Sequence, residues 1–212
     1  MNFDKVAPYY SLLEKLTFGN NLHDARLAFV PKLTKAKNIL LIGEGRGRLL
    51  NEILKHNSLA NITIVESSRA MISEMKKLPK VKNVSSIKFE NLCFFHFSTQ
   101  ERFDAICTCF FWDCFKEKEV KTGVDKVNKL LEANGLWINV DFKSPINGGN
   151  VEKFAHCLLI KLLYEFFRIS CGVMVNKLPA VSPIAKENQF VLIGSKEKGF
   201  PFLCTEIFKK LS

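Results

Sequence analysis

Residues 38–50 read NILLIGEGRGRLL: an apolar run, then Gly43-Glu44-Gly45-Arg46-Gly47, then Arg48-Leu49-Leu50. A run of apolar residues without alternation suits a parallel strand covered on both faces. Glycines at alternate positions let the chain turn tightly and keep side chains away where a ligand must reach the main chain. Leu49, Leu50, Ile53 and Leu54 then recur at helical spacing, so the turn opens a helix whose first free N–H groups favour an anion. A strand, glycine turn and helix in that order begin a doubly wound α/β sheet.

Working outward, the second strand is 62–65, closed by Glu66, and residues 70–78 form the next helix, stopped by Pro79. A third strand at 87–89 alternates with Lys88 and Glu90, as where one face is less covered. The fourth strand is 103–110 (FDAICTCF); Val120, Val124, Val127, Leu130 and Leu131 mark a helix after it, ended by Asn134-Gly135, and 136–142 is the fifth strand. Residues 189–194 and 203–208 read as two further strands, close enough in sequence to pair antiparallel. Upstream, 3–18 and 21–29 are two short helices broken at Gly19-Asn20. The expectation is one α/β domain over 1–212: a helical lid (1–36), a Rossmann-like core (37–142), and a cover helix with a strand pair (143–212). Seven strands result, mostly parallel with an antiparallel last strand.

Composition narrows the function classes. The net charge of +10 raises the question of nucleic acid, but the lysines come in small groups interrupted by Glu74, Glu117, Glu119 and Asp125, as on solvated helix faces. A nucleic-acid surface is therefore not expected. Seven cysteines with no CxxC pair and no histidine at ligand spacing read as free thiols, with no metal site, in a reducing cytoplasm. MNFDKVAPYY lacks the apolar stretch of a signal peptide. The most apolar segment, 151–169, carries Lys161, Glu165 and Arg168 on one helical face, so it is an amphipathic helix and not a membrane span.

The glycine spacing bears on the ligand. Dinucleotide sites use GxGxxG, whereas here the third glycine comes one position earlier; the tighter turn suits S-adenosylmethionine, whose methionine carboxylate is the anion. Glu66, 19 residues after Gly47 at the end of the second strand, is placed to accept from two ribose hydroxyls. On these residues the chain resembles the class I S-adenosylmethionine-dependent methyltransferases, small-molecule members akin to the quinone-biosynthesis enzymes above all. NILLIGEGRGRLL resembles their glycine signature, ITIVESSRAMI their ribose-binding strand end, FDAICTCFFWDCF their fourth strand and LLEANGLWINVDF their helix, turn and fifth strand. The resemblance implies cofactor contacts from Gly43, Glu44, Gly45, Gly47, Glu66, Ser67, Met71, Asn91 and Phe110. Two departures stand out: the family's acidic residue two positions before the first glycine is Leu41, with Glu44 as its replacement, and its aspartate near the adenine is Asn91, with Cys93 in another alignment.

An open α/β sheet presents ligands at the carboxyl ends of its strands, which makes Phe111, Trp112, Asp113 and Asp141 candidates for the substrate pocket. Asp113 is the best-placed acid or base, and equally an N-cap or loop carboxylate. Tyr9 and Tyr10 on the lid and Tyr164 and Arg168 on the cover helix complete the set. Methyl transfer to a small, apolar or aromatic acceptor is the leading expectation. The alternatives are an RNA or protein methyltransferase, motivated by charge; a cofactor-binding protein without transferase activity, motivated by Leu41 and Asn91; and a polyamine synthase, which shares the fold and requires an acidic acceptor pocket.

Overall fold

The NILLI run is the central strand β1 (Asn38–Ile42) of the computed structural model, which describes residue 4 and residues 18–82, 86–144, 149–175, 177–198 and 202–211. Alternate side chains of a strand face opposite ways: Ile39 and Leu41 enter one hydrophobic core, Leu40 and Ile42 the other. That is why the run is apolar throughout.

Before β1 come α1 (Asn21–Leu27) and a 3-10 turn at Val30–Leu33. After it come α2 (Arg48–His56), β2 (Asn61–Val65), α3 (Arg69–Lys76), the single turn α4 (Pro79–Lys82) and β3 (Ile87–Glu90). Next are β4 (Phe103–Cys109), α5 (Glu117–Leu130), β5 (Leu131–Phe142), α6 (Asn150–Cys171), α7 (Val181–Glu187), β6 (Phe190–Lys198) and β7 (Leu203–Lys210). The sheet order is β3-β2-β1-β4-β5-β7-β6. The strands from β3 to β5 run parallel, and β7 lies antiparallel between β5 and β6. This is the doubly wound, seven-stranded sheet read from the sequence. Because the order reverses between β1 and β4, a crevice opens at their carboxyl ends, where such sheets bind ligands.

One core packs α1, α2 and α3 on the sheet; the other packs α5 and α7 on the opposite face. In the second, Thr108 Oγ1 accepts from the indole N–H of Trp112 (3.2 Å) and of Trp137 (2.9 Å) and bonds Asn139 (3.0 Å). Asp104 Oδ2 takes the backbone N–H groups of Lys37 and Asn38 at the foot of β1.

Several expected boundaries move. Pro79 does not only stop a helix; it opens α4, where its missing N–H is harmless. The helix ahead of β5 ends at Leu130, not at Asn134-Gly135. Leu131 already pairs with Phe103, and Asn134, at φ 64°, turns a bulge before pairing resumes at Leu136. β6 continues to Lys198, beyond the expected Gly194. Helix α7 has no counterpart among the expected elements, since Pro183 stands inside it. Outward on α6, Leu158 and Leu162 lie among Lys161, Glu165 and Arg168, while His156, Ile160 and Cys171 are buried. Among the described residues no helix is long and apolar enough to cross a membrane.

Candidate functional site at the ends of β1 and β4

The three glycines of the turn, all at positive φ, do different things. A Cβ on Gly43 would meet the Phe111 ring at 2.6 Å, and one on Gly47 would meet Met75 and Leu78 at 2.8 Å, so Gly47 serves the packing of α2 against α3. Gly45 has nothing within 4 Å and lines the cavity; it is the position that lets a ligand approach the main chain. Gly47 is also the N-cap of α2 and has no side chain with which to cap it. Glu44 supplies the cap instead, its Oε1 accepting the N–H of Leu50 at 3.0 Å. Burial lifts the Glu44 carboxyl to about 7, against the pull of the Leu50 N–H and the nearby Arg26 guanidinium.

Glu66 follows β2 and is buried at the cavity wall. One carboxylate oxygen accepts the Gly45 N–H at 3.0 Å, the other the Ser68 N–H at 2.9 Å. The side chain thus ties the glycine turn to the start of α3. Burial raises its pKa, opposed by the Ser68 and Gly45 N–H groups. The N–H and hydroxyl of Ser67 also act on this carboxylate by hydrogen bonding. Ser67 and Met71 line the same wall, and Ser68 caps α3 by accepting the Met71 N–H. Asp4 accepts from Ser68 Oγ and the Ala70 N–H, which brings one residue of the expected lid to this turn.

Asn91 is not a wall of the cavity: its amide donates to the carbonyls of Glu66 and Ser67, and its oxygen accepts from Arg69. It straps the β2 loop, and Leu92 and Cys93 form the wall instead. Phe110, at φ 53°, lies across the site. Arg26 of α1, absent from the residues expected on sequence grounds, also lines the cavity, buried, its guanidinium 4.8 Å over the Phe110 ring. An arginine on a short helix ahead of the core was the signal available, but only the packing of α1 brings it here.

Phe111, Asp113, Cys114, Phe115 and Phe167 also line the cavity. Asp113 donates its N–H to Asp141 Oδ2 (3.2 Å), and Asp141 Oδ1 accepts the Phe142 N–H (2.9 Å). Burial pushes Asp113 up to about 6, opposed by the Cys114 thiol and N–H. Asp141 is raised well above the usual carboxylate range by burial and then by Asp113. Tyr164 is raised by burial and by both aspartates. Asp141 and Tyr164, expected in the pocket, are not among the residues that line the cavity. Two further expected pocket residues stand outside the cavity lining. Trp112 is wholly buried in the second core, bonded to Thr108, and Arg168 is exposed on α6, paired with Glu165. Tyr9 and Tyr10 lie outside the described residues. No group of metal-ligating side chains occurs among the described residues.

Comparison with known proteins agrees with this geometry. A family model described as a methyltransferase domain matches residues 39–135, from β1 through the bulge of β5. A polyamine aminopropyltransferase of Buchnera aphidicola subsp. Schizaphis graminum is 38% identical over 77 residues, 33% of this chain; the match spans 27% of that protein's length. Among solved structures, the N-methyltransferase NodS of Bradyrhizobium japonicum WM9 superposes with a TM-score of 0.64 at 16% identity over 91% of this chain and 98% of its own. The 1,6-didemethyltoxoflavin-N1-methyltransferase of Burkholderia thailandensis, with bound S-adenosylhomocysteine, gives 0.69 at 13% identity over 98% and 85%. Residues 39–135, which carry the glycine turn and the acidic end of β2, are thus similar to a methyltransferase domain, and the chain shares its fold with these solved methyltransferases.

Proposed function

We propose that the chain transfers a methyl group from S-adenosylmethionine to a small molecule with an apolar or aromatic body. Glu66 carries the reading. It is buried at the cavity wall at the end of β2, anchored by backbone N–H groups, where a carboxylate is placed to accept from ribose hydroxyls. Gly45 leaves the main chain open beside it, and Arg26 offers a guanidinium for the methionine carboxylate at the glycine-turn end. The cofactor supplies an activated methyl group; the protein's part is to hold the acceptor in line with it and to exclude water. Phe111, Phe115 and Phe167 make the acceptor side apolar.

The match to a polyamine aminopropyltransferase motivates a second reading, transfer of an aminopropyl group. That group would come from a decarboxylated cofactor, which has no carboxylate for Arg26 to meet. A guanidinium in a cavity wall gains most from an anionic group on the ligand, so methyl transfer suits this cavity better. Titration calorimetry with S-adenosylhomocysteine tests the site: the wild type binds, and Glu66→Ala weakens binding more than about tenfold through loss of several hydroxyl contacts. Equal affinity of the two proteins would put the cofactor elsewhere.

A further inference from the structure

Resting on the methyl-transfer reading, we infer that the acceptor is an amine, seated by Asp113 and losing its proton to that carboxylate. Asp113 lines the cavity, and its Oδ1 is buried with no hydrogen-bond partner among the described residues. Asp141 Oδ2 takes the Asp113 N–H at 3.2 Å, and the Tyr164 hydroxyl, on which both aspartates act, is also buried without a partner among them. The groups that act electrostatically on Asp113, Asp141, Cys114 and Tyr164 are carboxylates and thiols, with no lysine or arginine side chain of the described residues among them. At this part of the cavity there are therefore, among the described residues, two desolvated carboxylates with no lysine or arginine side chain among the groups acting on them.

A ligand that completes such a site brings positive charge and N–H donors. A carboxylate or phosphate would be repelled; an alcohol brings a donor but no charge. An ammonium brings both, with three donors. The rings of Phe111, Phe115 and Phe167 beside Asp113 suit the apolar part of an arylalkylamine, and aromatic faces attract the cationic head. In the reaction the ammonium first passes one proton to the Asp113 carboxylate, freeing the nitrogen lone pair. That lone pair then forms the N–C bond to the methyl carbon as the C–S bond breaks, its electrons returning to sulfur. The sulfonium becomes a neutral thioether, the product is a methylammonium, and the proton leaves from Asp113 to solvent. The raised pKa of Asp113 suits this exchange, because a buried carboxylate that binds protons above its ordinary range is a stronger base.

The test is competitive binding to the full chain saturated with S-adenosylhomocysteine, using benzylamine, benzyl alcohol and benzoate as shape-matched probes and calorimetry as readout. Benzylamine is expected to bind about tenfold or more tighter than either other probe, and Asp113→Asn to remove that preference while S-adenosylhomocysteine affinity stays within about twofold. The wild-type preference needs no variant, so a poorly folding Asp113→Asn leaves the inference exposed to refutation. No preference for the amine, or a preference that survives in Asp113→Asn, overturns the amine assignment and leaves the cofactor reading intact. Failure of the wild type to bind S-adenosylhomocysteine overturns the cofactor reading itself.

Discussion

At the scale of single residues, side chains near the glycine turn serve structure and ligand together. Glu44 replaces the cap that Gly47 cannot provide, and the helix start it covers is the one a ligand's anion would approach. Its position next to the glycines was plain in the sequence; its direction was not, because that depends on the path of the turn. Burial raises its carboxyl to about 7, above the unfolded value, so the folded chain binds this proton more tightly than the unfolded one. Its contribution to stability is present in full below the unfolded pKa and is lost as pH rises through about 7. The cavity leaves Glu44 partly open to water, which screens the effect to about 2 kcal/mol. Glu44→Gln keeps an oxygen for the Leu50 N–H and removes the titration. Urea unfolding at acidic and alkaline pH should then show a smaller fall for the variant, whereas a slope identical to wild type would contradict this account. Other buried carboxyls titrate in the same direction but cancel in the comparison.

Among elements, the contact of α5 with β4 and β5 is set by a rigid indole. Trp112 is pinned by Thr108, and a Cβ on Gly123 of α5 would lie 2.4 Å from its ring. In an exposed helix Gly→Ala stabilises by about 1 kcal/mol, whereas overpacking a fixed core costs about 1–3 kcal/mol. The clash outweighs the gain, and Gly123→Ala should lower the free energy of unfolding by up to about 2 kcal/mol, read by chemical denaturation; a more stable variant would show that Trp112 moves aside. The elements legible in the sequence were those with a clean period: β1, β2, β4 and the apolar face of α5. The join of α5 to β5 was misplaced because Asn134-Gly135 carries the usual marks of a helix end, yet the strand pairing of Leu131 with Phe103 captures the chain earlier. Likewise Trp112 follows β4 closely but turns away from the cavity, because its N–H finds Thr108 inside the core.

For the whole molecule, the cavity joins parts far apart in the chain: Arg26 from α1, Glu66 after β2, Asp113 after β4 and Phe167 on α6. A ligand that bridges them binds the folded state alone and stabilises by mass action, about 2.7 kcal/mol at a hundredfold excess over Kd. For a chain of this size that is about 5–10 °C in Tm, to be read by scanning fluorimetry with S-adenosylhomocysteine; an unmoved Tm at saturation would deny a preformed site. The sequence by itself determined the doubly wound core, the glycine turn and Glu66, because a strand, its turn and the next helix are neighbours along the chain and their periods record which side is buried. Only the tertiary structure decided that Arg26 reaches the turn, that Asp113 and Asp141 come together, and that Trp112, Arg168 and Asn91 stand outside the cavity. Periodicity records that a face is buried, but what covers it follows from the sheet order and the packing of distant elements.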